Sequence, residues 1–113
     1  MIAVIFEVVL APARAQRYFD LAAALRSELD GIDGFISVER FQSLTAQNKY
    51  VSLSFWRDRA AVEAWYRHSG HGAAQAEGRG NERDAIFEDY RIRVAEVFRD
   101  YDLANGRPPM PAT

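Results

Sequence analysis

The 113-residue sequence predicts an α+β fold with element order βαββαβ, the ferredoxin-like arrangement of an antiparallel sheet carrying both helices on one face. Three observations predict it. Segments rich in Val, Ile and Phe alternate in a two-residue period at 2–10, 35–44, 49–56 and 86–98. Apolar residues recur at helical spacing in 14–30 and again after Asp58. Short breaks with Pro, Gly or polar residues separate these segments, so each has room to turn and no more.

In the first segment, alternation places Ile2, Val4, Phe6, Val8 and Leu10 on one face and Ala3, Ile5, Glu7 and Val9 on the other. Both faces are largely apolar, so both are expected to be covered. After "APARA", the helix 14–30 turns Tyr18, Leu21, Ala22, Leu25 and Leu29 inward, with Ile32 following. It stops at "DGIDG", where Gly31 and Gly34 are free to take positive φ. The segments "FISVERFQSL" and "KYVSLSFW" form a hairpin around the turn "TAQN". Asp58 is placed to cap a second helix that buries Val62, Trp65, Tyr66 and Ser69, with an interruption at Gly70 and a further turn or two beyond it. The last strand carries Glu88, Arg91 and Arg93, which predicts one wet face.

Composition narrows the function classes. The chain is sized for one domain, 1–100, followed by an extended Pro-rich arm over 101–113; residues 105–113 hold three of the four prolines. Fourteen basic against sixteen acidic residues give a formal charge of -2, which leaves no basic excess for a phosphate backbone, so nucleic acid is not expected as a partner. The absence of Cys excludes disulfides and thiolate chemistry. "MIAVIFEVVL" carries Glu7, lacks a basic leader and stops at Pro12, which reads as neither a signal peptide nor a membrane span, and the protein as cytoplasmic. One sheet face would be left bare and apolar, which predicts a homodimer joined through those faces.

The stretches "GFISVERFQS", "VSLSFWRDRAAVEAW", "HGAAQAEGRG" and "YRIRVAEVFR" resemble the antibiotic biosynthesis monooxygenase family of dimeric α+β barrel proteins, over about residues 2 to 100. The resemblance implies a dimer, a pocket between sheet and helices in each subunit, and oxidation of a small aromatic or polyketide-like substrate by O₂ without flavin or metal. The family also includes haem-degrading members and proteins without an assigned reaction, so haem breakdown and non-catalytic ligand binding or a stress-response role are the alternatives.

Within "WYRHSGHGAAQAEGRG", residues His71, Ala74, Gln75 and Gly78 share one helix face. His71 is the candidate catalytic base, since imidazole exchanges protons near neutral pH, and Gln75 the candidate group to orient a substrate carbonyl. The structural alternative is that both sit hydrogen-bonded and inert at a helix junction. His68 lies one turn before His71, but Gly70 intervenes and no acidic residue joins them at ligand spacing, so a metal pair is not expected and His68 is assigned to the surface. Phe6, Trp65, Tyr66 and Phe55 are the candidate substrate-pocket residues, from an aromatic set that would also fill a small core.

In the haem-degrading branch a Trp recurs where Trp65 stands. That branch's strand Asn is replaced here by Phe6 and Glu7, and its axial His would fall near Ala74 or Gln75. Of the strand arginines, Arg40, Arg91 and Arg93, one turned inward would stabilise a phenolate; otherwise they face solvent or pair with Glu39 and Glu88. "EGRGNERD" lacks the spacing of a phosphate loop.

Overall fold

A computed structural model describes residues 1–68 and 86–104. Strand β1 (Ile2–Leu10) leads through a 3₁₀ turn (Pro12–Arg14) into helix α1 (Ala15–Asp30). Strands β2 (Phe35–Gln42) and β3 (Lys49–Trp56) form the hairpin, then helix α2 (Arg59–Tyr66) and strand β4 (Phe87–Glu96) follow. The sheet order is β2-β3-β1-β4 with every neighbouring pair antiparallel, the split arrangement that the element order predicts.

Alternation along β1 holds. Ile2, Val8 and Leu10 are buried, and Val4 and Phe6 pack beside them. Two apolar clusters result: Ile2, Leu29, Trp56, Ala61, Val62 and Trp65 at one end, and Val8, Leu10, Tyr18 and Ile86 at the other. Each large side chain so buried contributes about 1.5–3 kcal/mol of transfer free energy, so these clusters are what hold the helices to the sheet.

The ends of the elements follow local chemistry. Asp58 caps α2, its carboxylate accepting the Ala61 N–H at 2.9 Å. The strand expected to reach Leu44 stops at Gln42, because the Ser43 hydroxyl accepts the N–H groups of Thr45 and Ala46 and Asn48 turns left-handed at φ 62°. Gly34 takes the positive φ expected of it, 89°, whereas Gly31 does not: it continues the helical conformation at φ -89°. Helix α2 ends at Tyr66 with Arg67 as its C-cap; the expected continuation with Ser69, His71 and Gln75 lies outside the described residues, as does the arm beyond residue 104.

Both helices cover one face of the sheet. The opposite face presents Ala3, Ile5, Val9, Val51, Leu53 and Phe55, the residues of opposite parity in the ladder. Its charged pair is Glu7 with Arg93, 2.8 Å apart. Arg93 therefore pairs with Glu7 rather than with Glu39 or Glu88, because β4 lies beside β1 and sets Arg91 directly across from Glu7 with Arg93 diagonal to it. Among the described residues no helix is long and apolar enough to cross a membrane.

Candidate substrate cavity

The inward positions of β3 are Tyr50, Ser52, Ser54 and Trp56. Two serines between two large aromatics at the middle of a sheet leave volume that Val or Leu would occupy. That volume is a cavity of about 120 Å³ lying between the two apolar clusters. Its floor is Val4 and Phe6 of β1, Ser52, Ser54 and Trp56 of β3, Val38 and Arg40 of β2, and Ile92 of β4. Its roof is the inward stripe of α1 from Tyr18 to Leu29, with Trp65 and Tyr66 of α2 at one side. An apolar cavity of ~150 Å³ accommodates benzene. Among the described residues this one has room for about a single ring and is partly open to its surroundings.

Of the residues expected at the pocket, Phe6, Trp65 and Tyr66 line the cavity. Phe55 does not. It is the cross-strand partner of Ala3, and strand parity turns it to the opposite face of the sheet, so its assignment to the pocket is corrected. His71 and Gln75 lie outside the described residues. His68 is half-buried rather than a surface residue: its ring stacks on Trp65 at 5.2 Å, and its Nδ1 lies 3.6 Å from Glu28 of α1. Trp65 thus sits between His68 and Trp56, whose ring centroid is 6.1 Å away. Trp56 in turn donates its indole N–H to Ser54 at 2.9 Å, which ties the deepest aromatic to the cavity floor. Burial pushes the Tyr66 phenol up from its ordinary value, so Tyr66 stays protonated beside the cavity. It can donate a hydrogen bond there and is unsuited to act as a base.

Two residues that motif reading did not place at the pocket carry its polarity. Arg40 lines the floor, and its guanidinium lies 6.0 Å over the ring of Tyr18. Neither the buried Arg40 Nε nor the Tyr18 hydroxyl has a hydrogen-bond partner among the described residues. Arg40 faces inward because the β2–β3 register shifts between Phe35 and Ser37. Phe35 packs on Trp56 inside the sheet at 5.3 Å, and strict alternation from Phe35 would turn Phe41 inward; the extra residue, Ile36, inverts the parity and brings Val38 and Arg40 in instead. A short apolar segment with a charge on the wrong parity was the available signal, and it points to a bulge only once a register is known. No group of three or more His, Asp or Glu capable of holding a metal occurs among the described residues.

With this geometry established, comparison with known proteins places the chain. Residues 1–77 match the sequence family described as antibiotic biosynthesis monooxygenase. The chain belongs to that family. A Pyricularia oryzae protein named jasmonate monooxygenase ABM is 42% identical over 97 residues, covering 86% of this chain and 43% of the relative. An uncharacterized Bacillus subtilis protein is 33% identical over 66 residues, covering 58% of this chain and 53% of its own length. The chain thus spans about half the length of the curated relatives it matches. A putative antibiotic biosynthesis monooxygenase from Deinococcus radiodurans superimposes with a TM-score of 0.78 at 13% identity, covering 91% of this chain and 98% of that one. At that identity the likeness concerns the fold, and the monooxygenase fold of the family is what this chain has.

Proposed function

We propose that this family member is a monooxygenase that oxidises a small, electron-rich, single-ring molecule with O₂, drawing the electrons from the substrate and using no flavin or metal. The observation that carries the reading is the cavity itself: an apolar, aromatic-lined space between sheet and helices, opened by two serines where a packed core would place larger residues. The relative named for jasmonate oxygenation supports a small-molecule substrate.

In this reading His71 removes a proton from the substrate, and the resulting carbanion or phenolate passes electrons to O₂. A CH₂ group becomes a carbonyl, one oxygen atom entering the product and the other leaving as water with the two hydrogens. Gln75 holds the negative charge that develops on the substrate oxygen. Tyr66 lines the cavity beside the ring.

Haem fits the described residues poorly. The described histidine, His68, stacks on Trp65 near Glu28 and does not line the cavity, so no described imidazole faces it. No step is therefore routed through haem.

The two apolar-sided sheets of two copies, joined through Ile5, Val9, Val51, Leu53 and Phe55, complete the proposal as a homodimer. The functional test is oxygen uptake with a panel of single-ring phenols, quinols and enolisable ketones, with no cofactor added. Uptake above the blank, ¹⁸O from labelled O₂ in the product and loss of both in His71→Ala are the expected results. Saturable binding with no uptake across the panel refutes the reading and leaves a binding protein.

A further inference from the structure

We infer that the cavity selects a ring-bearing molecule that carries a carboxylate, with Arg40 as the residue that holds it and the Tyr18 hydroxyl as a second donor. The inference rests on the reading of this cavity as the substrate site and names the chemical class that enters it. Among the seventeen described residues lining the cavity, Arg40 is the single charged one, and none of them is Asp or Glu.

A guanidinium N–H buried without an acceptor is costly, and the same holds for a buried phenolic O–H. Both occur here in adjacent side chains, Arg40 Nε and the Tyr18 hydroxyl, with the guanidinium over the Tyr18 ring. Two donors with unused capacity and no acidic neighbour define a place for an oxygen anion. The Arg fork matches the two oxygens of a carboxylate, and the apolar walls raise the strength of that pairing above its value in water. Ser52, directly across the strand pair from Arg40, adds a hydroxyl at the same level of the floor.

The donors also orient the ligand. Tyr18 and Arg40 mark one end of the cavity, and Leu29, Trp56 and Trp65, members of one apolar cluster, mark the other. A carboxylate at the first end directs the ring toward Trp56 and Trp65. Binding the carboxylate thereby sets the orientation of the ring, so the residue governs specificity as well as affinity.

The same donors would also attract an oxyanion formed only during reaction, and a binding experiment separates the two sources. Phenylacetate and phenylacetamide share one ring and one shape and differ in charge. Their dissociation constants are measured anaerobically by calorimetry and by quenching of tryptophan fluorescence, in the wild-type chain and in Arg40→Met and Arg40→Lys, with circular dichroism as the check on folding. The expected result is a preference for the acid of about 10- to 100-fold in the wild type. That preference falls to near unity in Arg40→Met, which keeps the length of the side chain, and is partly retained in Arg40→Lys, which keeps the charge without the fork.

Equal affinity for acid and amide in the wild type, an acid preference that survives in Arg40→Met, or no binding of either probe overturns the inference. So does a variant that binds both probes as the wild type does and loses only turnover, since Arg40 would then act on the reaction's oxyanion. Because no oxygen is consumed in the measurement, failure of the oxygenase reading leaves this result standing, and oxygen uptake by the wild-type chain is read as a separate outcome.

Discussion

Gly31 and Gly34 lie three residues apart between α1 and β2, and the structure assigns them opposite responses to alanine. At Gly34, φ is +89°, and an added Cβ would lie 2.6 Å from the Cβ of Ala61. Ala61 is buried in the first turn of α2, held there by the Asp58 cap, so it has little freedom to retreat. The left-handed backbone costs a β-carbon-bearing residue roughly 1–2 kcal/mol. Forcing an extra methyl into a packed contact costs about 1–3 kcal/mol more. Gly34→Ala is therefore expected to destabilise by about 2–5 kcal/mol, the two ranges together.

At Gly31, φ is -89° and the nearest atom to an added Cβ is the Glu28 carbonyl oxygen at 3.6 Å, an ordinary contact. There the reduced entropy of the unfolded chain dominates, and Gly31→Ala is expected to be neutral or to stabilise by up to about 1 kcal/mol. Urea unfolding followed by tryptophan fluorescence reads both, since Trp56 and Trp65 sit in the cluster that Ala61 joins. A Gly34→Ala loss below about 1 kcal/mol, or equal losses at the two positions, would refute the close approach of the α1–β2 connection to α2.

The buried Trp56–Ser54 hydrogen bond predicts that Ser54→Ala costs about 1–3 kcal/mol by stranding the indole N–H, while Ser54→Thr, which keeps the hydroxyl, costs less; equal thermal midpoints for the two variants would contradict this. Asp33 accepts two hydrogen bonds from Arg57, which hold its carboxyl below its ordinary value. A depressed folded pKa contributes stability that is present above the unfolded pKa, about 4, and is lost as pH falls through the folded value. Asp33→Asn should therefore show a shallower loss of stability below pH ~4 than the wild type, and parallel pH profiles in urea unfolding would speak against the pairing. Leu53→Glu, on the helix-free sheet face, should convert a dimer to a monomer in light scattering with its circular dichroism retained; a wild-type monomer at micromolar concentration would remove the dimer proposal.

Much of the scaffold is legible in the sequence, and the reasons are local. The period-two run of β1 and the i, i+3, i+4 stripe of α1 each record, in one short segment, which side meets the core. Asp58 is legible as a cap because its carboxylate reaches an N–H three residues away. Trp65, Tyr66 and Phe6 could be named for the cavity because their neighbours share their face. Phe55 was misassigned because aromatic character says nothing about parity, and on β3 the inward positions begin at Tyr50 and step by two to Trp56. His68 was assigned to the surface because its partners, Trp65 and Glu28, come from two helices that meet only in space.

By itself, then, the sequence determined the order of elements, the inward faces of β1 and α1, the cap of α2 and the family resemblance, since each depends on spacing along one stretch of chain. The tertiary structure decided the cavity and its polarity. A void is a property of what four strands and two helices together fail to fill, and no one segment encodes it. Arg40 faces that void because one extra residue in β2 inverts its parity against β3, and a bulge is defined only by the strand it pairs with.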